Sequence, residues 1–178
     1  GFGFMLFLFA LPAALPLPGF GVNFIIAAPL LFLTFQQAIG RQTLWFPAWL
    51  GDKKLFSKDT FNKIIEKAMP HVKKIEKLSH PRLNFITHGA FSIIIGIAGL
   101  IMALSVLVPL PLTNTVPSFG IALMAIGTIM NDGLAVIAGA IIGLLWVAFI
   151  TYGIIFLGME GVEFITETVK SYLYVQDR

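Results

Sequence analysis

The sequence predicts an all-α integral membrane protein, with four to five membrane segments and two Pro-broken elements arranged as an inverted repeat. Three observations carry that prediction. The chain of 178 residues is 57% hydrophobic and only 12% charged, about half the charge of an ordinary soluble domain, and its mean hydropathy is +0.90. Apolar stretches of helical length recur along it, separated by Pro and Gly. A Pro-rich pattern in the first forty residues also returns about a hundred residues later. One membrane domain over 1–178 is expected: 1–40 as the first half, 41–84 as a basic loop, 85–158 as the second half and 159–178 as an amphipathic tail.

Residues 2–11 are apolar and Phe-rich but rise only ~15 Å as a helix, half of the ~30 Å hydrocarbon core. The opening "GFGFMLF" has no charged n-region or small-residue cleavage site, so it does not read as a signal peptide. It reads as a chain entered partway, with a segment expected before Gly1. "LPAALPLPGF" follows, carrying Pro12, Pro16, Pro18 and Gly19. Residues 22–40 are apolar again and close to spanning length, with a kink expected at Pro29.

Composition changes at Arg41. Ten basic residues lie in 41–88: Arg41, Lys53, Lys54, Lys58, Lys63, Lys67, Lys73, Lys74, Lys77 and Arg82. Four acids offset them, so the positive-inside rule places this loop in the cytoplasm, with Trp45 and Trp49 as an aromatic belt. Within it, Phe61, Ile64, Ala68, Val72, Ile75 and Leu78 recur at helical spacing with lysines on the other faces. Two readings stand side by side. The stretch 58–78 rests on anionic lipid headgroups, or it packs on its own protein with solvated lysines.

Residues 85–108 form a full span with Gly89, Ser92, Gly96 and Gly99 available for close packing. Then come Pro109, Pro111 and Pro117, the apolar "IALMAIGTIM", and Asn131-Asp132-Gly133. Residues 134–158 are a second full span, with Gly139, Gly143 and Ala148 as packing positions. The tail repeats Met159, Val162, Ile165, Val169 and Tyr172 at helical spacing.

Both halves fit one pattern: an apolar segment, Pro-x-Pro, then Pro-[Gly/Ser]-Phe-Gly at 18–21 and 117–120, then an apolar helix ending in polar residues and Gly. Duplicated breaks of this kind point to transporters built from repeats with discontinuous helices. Irregular backbone at depth survives only against protein or a wet cavity. The breaks are therefore either re-entrant hairpins or loops outside the bilayer. The pathway candidates are Asn23 and Asn114 beside the breaks, Gln36, Gln37 and Arg41 closing the first half, and Asn131 and Asp132 closing the second. An ionisable group between apolar segments is a site by default, yet Asn-Asp-Gly is also turn chemistry. Both readings of Asp132 stay open.

The absence of cysteine excludes disulfides, haem thioether links and thiolate metal sites. His71, His80 and His88 form no metal signature and are expected at the surface or the interface. No phosphate-binding or nucleophile motif occurs, so neither an enzyme nor a cofactor, metal or nucleic-acid partner is expected.

These residues resemble the ExoD family of bacterial exopolysaccharide-synthesis membrane proteins. The resemblance rests on Pro16-Leu17-Pro18-Gly19, on Gln36, Gly40 and Arg41 followed by Trp45 and Pro47, and on Asn114, Pro117 and Ser118 leading to Asp132-Gly133. Leu44 departs from the family, which often has Pro before the Trp. The resemblance implies a multi-pass protein of the bacterial cytoplasmic membrane tied to exopolysaccharide production, and no established reaction. Two functions are expected in competition: a small translocator, acting as a homo-oligomer, or a non-catalytic subunit of a larger membrane complex.

Overall fold

The computed structural model describes residues 1–14, 22–41, 43–45, 82–108 and 114–175, all helix or short connection with no strand among them. The helices are α1 (Phe2–Ala13), α2 (Val22–Ala38), α3 (Ala90–Val106), α4 (Thr115–Met130) and α5 (Gly133–Val175), with a 3-10 turn at Asn84–Thr87 before α3. Pro16, Pro18, Gly19, Pro109, Pro111 and the stretch 58–78 lie outside the described residues, as do the side chains of Asn23, Met159, Val162, Ile165, Val169 and Tyr172.

Two prolines expected to break the chain do not. Helix α1 runs through Pro12 and ends after Ala13, with the Ala14 N–H still bonded to Ala10 O at 2.9 Å. Pro117 is buried as the third residue of α4, where a missing N–H costs little. Pro29 lies inside α2 without ending it.

Both inner helix ends use a left-handed residue. Gly40 (φ 77) follows α2, and its N–H and that of Arg41 bond back to Gln37 O (3.0 Å) and Gln36 O (3.1 Å), the paired pattern of a Schellman cap. Asn131 (φ 54) follows α4, and the Asp132 N–H reaches Gly127 O at 2.8 Å. Gly133, expected to be the matching break, is instead the first residue of α5. Its N–H meets Arg82 O at 2.6 Å, and a Cβ there would lie 2.6 Å from Leu83 O. The chain returning from the basic segment is thus seated on the α4–α5 turn.

Packing is reciprocal: α1 lies on α4 and α2 on α3, with α5 along α4. Small residues set the closest crossings. A Cβ on Gly96 would collide with the backbone of Gln37 and Ala38, and one on Gly99 would lie 2.8 Å from Thr34 Cγ2. On α5, Gly139 and Gly143 face Gly120 of α4, a small-xxx-small contact. Ala148 is exposed and takes no such part. The core is mainly Ala, Met, Leu and Ile, with Phe7 and Val136, and draws on all five helices, including Ala10, Leu30, Met102, Ile121 and Val136.

Among the described residues, large apolar side chains also lie on the outside. Ile94, Ile97, Ile101 and Leu104 form an exposed row on α3, and Ile141, Leu145, Ile155 and Phe156 an exposed face on α5. Water does not favour large contiguous surfaces of this kind. Among the described residues one helix, Gly133–Phe156, is long and apolar enough to cross a bilayer; Phe2–Leu11, Ala90–Val106 and Thr115–Met130 are apolar but shorter. The span expected over 85–108 is shortened because the 3-10 turn and Gly89 (φ 63) delay the helix to Ala90. The span expected over 134–158 ends where foreseen: Gly158 (φ 67, ψ −172) interrupts α5.

Helix direction corrects the expected inversion. Glycine contacts put the start of α1 beside the end of α4, through Gly3 against Ala125 and Thr128, and the start of α3 beside the end of α2. A single cavity joins all four of these ends. Both halves therefore run the same way. Each contributes two helices of opposite direction, so the second half starts from the same end as the first.

Candidate functional site

Where those four helix ends meet, they line an open-sided cavity of about 780 Å³. Its polar wall is Gln37 and Arg41 from the end of α2, Thr87 and His88 from the turn before α3, Ser92 from the first turn of α3, and Thr128 from the end of α4. Phe2, Phe4, Ile93 and Ile129 supply apolar wall. No acidic residue lines it among the described residues.

The two adjacent glutamines do different work. Gln36, 3% exposed, turns to the following segment. Its Nε2 donates to Trp45 O at 3.0 Å and its Oε1 accepts from the Trp45 N–H at 2.8 Å. One side chain thus satisfies both backbone groups of Trp45, as a paired strand would. Trp45 then packs near Phe32 (centroids 6.1 Å) and carries the Arg41 guanidinium 5.8 Å above its ring. That is cation–π range.

Gln37, 2% exposed, turns into the bundle. Its Nε2 donates to Ser92 Oγ at 3.3 Å, while Oε1 has no partner. A buried amide oxygen without a hydrogen bond costs about 1–3 kcal/mol, so the fold carries one unsatisfied acceptor beside the α2–α3 contact.

Thr87 holds the lower edge. Its hydroxyl lies 2.8 Å from Asn84 O, 2.8 Å from His88 Nδ1 and 3.3 Å from Asn131 Oδ1. It ties the His88 ring and the α4 terminus together beside the cavity.

Of the candidates from sequence, the structure brings Gln37 and Arg41 to the cavity and sets Asn131 one hydrogen bond behind it. Gln36 acts through Trp45. Asp132 does not line the cavity: its Oδ1 accepts from the N–H groups of Leu134 (3.1 Å) and Ala135 (3.4 Å), which makes it the N-cap of α5. Asn23 and Asn114 belong to the other end. Each sits at the start of a helix whose end reaches the cavity, and in α2 the 14 residues from Asn23 to Gln37 span ~21 Å. The cavity and the two Asn beside the breaks therefore lie at opposite ends of α2 and α4. Thr87 and Thr128 are not among the residues the sequence singles out. Ser92 is expected as a packing position and His88 at the surface or the interface, and His88 is exposed at the cavity mouth. No group of three metal-ligating side chains occurs among the described residues.

Fold and site define a class: an all-α bundle with an apolar exterior and a polar cavity at one end. The family described as "Exopolysaccharide synthesis, ExoD" matches residues 1–152, and the chain belongs to it. It is 30% identical over 177 residues to the "Uncharacterized protein slr1875" of Synechocystis sp., covering 98% of this chain and 82% of that protein. It is 29% identical over 143 residues to "Protein ExoD" of Rhizobium meliloti, covering 78% of this chain and 59% of that protein. No solved structure matches it.

Proposed function

We propose that this protein is a small multi-pass translocator of the cytoplasmic membrane that handles a hydroxyl-rich, saccharide-bearing substrate in exopolysaccharide production. The observation that carries the reading is the cavity itself, walled by the polar side chains of Gln37, Arg41, Thr87, His88, Ser92 and Thr128 with no acid among the described residues. Mostly uncharged polar groups of this kind suit a ligand rich in hydroxyls. Phe2 and Phe4 give flat apolar surface beside it. The exposed aliphatic faces of α3 and α5 support immersion in lipid, with α1–α2 and α3–α4 as hairpins within the bilayer.

The reciprocal packing of α1 on α4 and α2 on α3 is what a two-fold axis along the bundle would produce. It supports a repeat of like-directed halves, able to rock against each other. Segment 41–84 is cytoplasmic in this reading, and the cavity opens to that side. The test is reconstitution in proteoliposomes with uptake of radiolabelled mono- and oligosaccharides. Flux that depends on Gln37, falling at least about tenfold in Gln37→Leu, is the expected result. Absence of flux for every saccharide, from protein that is folded and inserted, rejects translocation and favours an accessory subunit.

A further inference from the structure

His88 lines the cavity, and the turn that carries it decides which of its ring nitrogens holds the proton. The Thr87 hydroxyl lies 2.8 Å from Asn84 O and 2.8 Å from His88 Nδ1. Asn84 O is a main-chain carbonyl and can only accept, so the single hydroxyl proton goes to it. Thr87 Oγ1 then meets Nδ1 with its lone pairs, and Nδ1 must donate. A second contact requires the same. Nδ1 lies 3.2 Å from Asn84 O, which again offers only lone pairs. With Nδ1 bare, two of these three contacts would bring lone pairs together. The neutral ring therefore carries its proton on Nδ1 and leaves Nε2 as an acceptor. Both hydrogen bonds of the ring are made at Nδ1, the ring is exposed, and Nε2 stays available at the cavity mouth. The rest of the polar wall offers nothing equivalent. Arg41 can only donate, Gln37 Nε2 is spent on Ser92 Oγ, and the Thr128 hydroxyl gives its proton to Met124 O at 2.9 Å.

We propose that His88 Nε2 is the acceptor that receives a hydroxyl of the ligand. This rests on the reading of the cavity as a saccharide site and names the group that recognises the saccharide. A second proton on the ring turns Nε2 into a donor, so the contact exists with the neutral ring and is lost with the imidazolium. Binding therefore weakens as pH falls through the range in which histidine takes up a proton, from about pH 8 to about pH 5. Among the described residues, the other charged groups facing the cavity are the Arg41 guanidinium at the end of α2 and the Gly1 α-amino group before α1. A guanidinium keeps its charge over this range. Helices α1, α3 and α4 carry no titratable side chain. Beside the turn, Asp132 is engaged at the start of α5, and Arg82 precedes the turn in the chain.

The experiment has two readouts, both on the full chain in phosphatidylcholine nanodiscs. Nuclear magnetic resonance of the chain with isotope-labelled histidine, assigned by the signal that His88→Gln removes, reports which ring nitrogen is protonated. Expected is the Nδ1–H form in the neutral ring, and an Nε2–H form overturns the proposal. Equilibrium binding of radiolabelled glucose is then followed over the same pH range. Expected is a fall in affinity of about three- to tenfold on acidification, the worth of one hydrogen bond. His88→Gln places a carbonyl oxygen that does not titrate near the position of Nε2, so it retains binding and flattens the profile. His88→Phe weakens glucose at the alkaline end to the level the unaltered chain shows at the acid end. A flat profile in the unaltered chain, or a slope that survives in His88→Gln and so belongs to the α-amino group, overturns His88 as the acceptor while the saccharide reading stands. Failure of glucose to bind the folded chain at any pH overturns the saccharide reading and this contact together.

Discussion

Gly96→Ala should damage this protein more than the same change three residues later. A methyl on Gly96 would lie 2.6 Å from the carbonyl carbon of Gln37 and 2.8 Å from Ala38 Cα, whereas unstrained carbon contacts begin near ~3.5 Å. Both obstacles are backbone, so no rotamer change relieves them and α2 and α3 must separate by about 1 Å. Overpacking of this kind costs about 1–3 kcal/mol, and a backbone obstacle belongs at the upper end. The helix propensity of Ala returns about 1 kcal/mol, leaving a net loss of ~2 kcal/mol.

Gly99→Ala meets Thr34 Cγ2 at 2.8 Å, the tip of a side chain anchored by its hydroxyl to Leu30 O at 2.7 Å. Its strain is near the lower end, ~1 kcal/mol, and cancels against propensity. Thermal unfolding followed by tryptophan fluorescence in mild detergent should show Gly96→Ala ~4–8 °C below Gly99→Ala. Saccharide binding should fall in Gly96→Ala alone, because the separation parts Gln37 from Ser92. Equal melting temperatures would refute a close α2–α3 crossing, and with it the wall of the cavity.

Three further outcomes are expected. Gln37→Leu removes the unpaired buried acceptor, so the melting temperature should stay level or rise, by up to ~2 kcal/mol of stability, while ligand binding is lost. A fall in stability would mean that Oε1 is paired in the folded protein. Asp132→Ala should cost about 1 kcal/mol through loss of the α5 cap and leave saccharide flux unchanged at temperatures below unfolding; loss of flux without loss of stability would restore Asp132 as a pathway residue. Gly158→Ala puts a side chain in a conformation that only Gly tolerates, at about 1–3 kcal/mol. Straightening relieves that strain. Because the chain has no cysteine, spin labels at Leu145→Cys and Ser171→Cys should report a distance rising toward the ~39 Å of a continuous helix. An unchanged distance would show that the bend is held by something other than Gly158.

Much of the fold was legible from residue order. The glycines of α3 and α5 were readable as close-packing positions because nothing else in an apolar helix explains their spacing, and Gly96, Gly99, Gly139 and Gly143 take that role. The site was half legible. Gln37 and Arg41 stood out as polar groups closing an apolar helix, but Gln36 looked equivalent to its neighbour. Consecutive helical residues point about 100° apart, and the direction of each was set by what lay beyond: Trp45 for one, Ser92 for the other. Asp132 shows the converse. Its surroundings allow a site or a turn, and in the structure its carboxylate caps the start of α5.

Composition and periodicity settle the all-α character and apolar surface of this chain, because the apolar content and helix-length segments are properties of residue order. Its family membership rests on the same order, over residues 1–152. The direction of the halves and the place of the cavity depend on contacts between residues far apart in the chain. Only the pairing of α1 with α4 and α2 with α3 carries Gly1–Phe4, Gln37–Arg41, Thr87–Ser92 and Thr128 to one end. No local pattern encodes that pairing, since it follows from which helix faces can approach most closely.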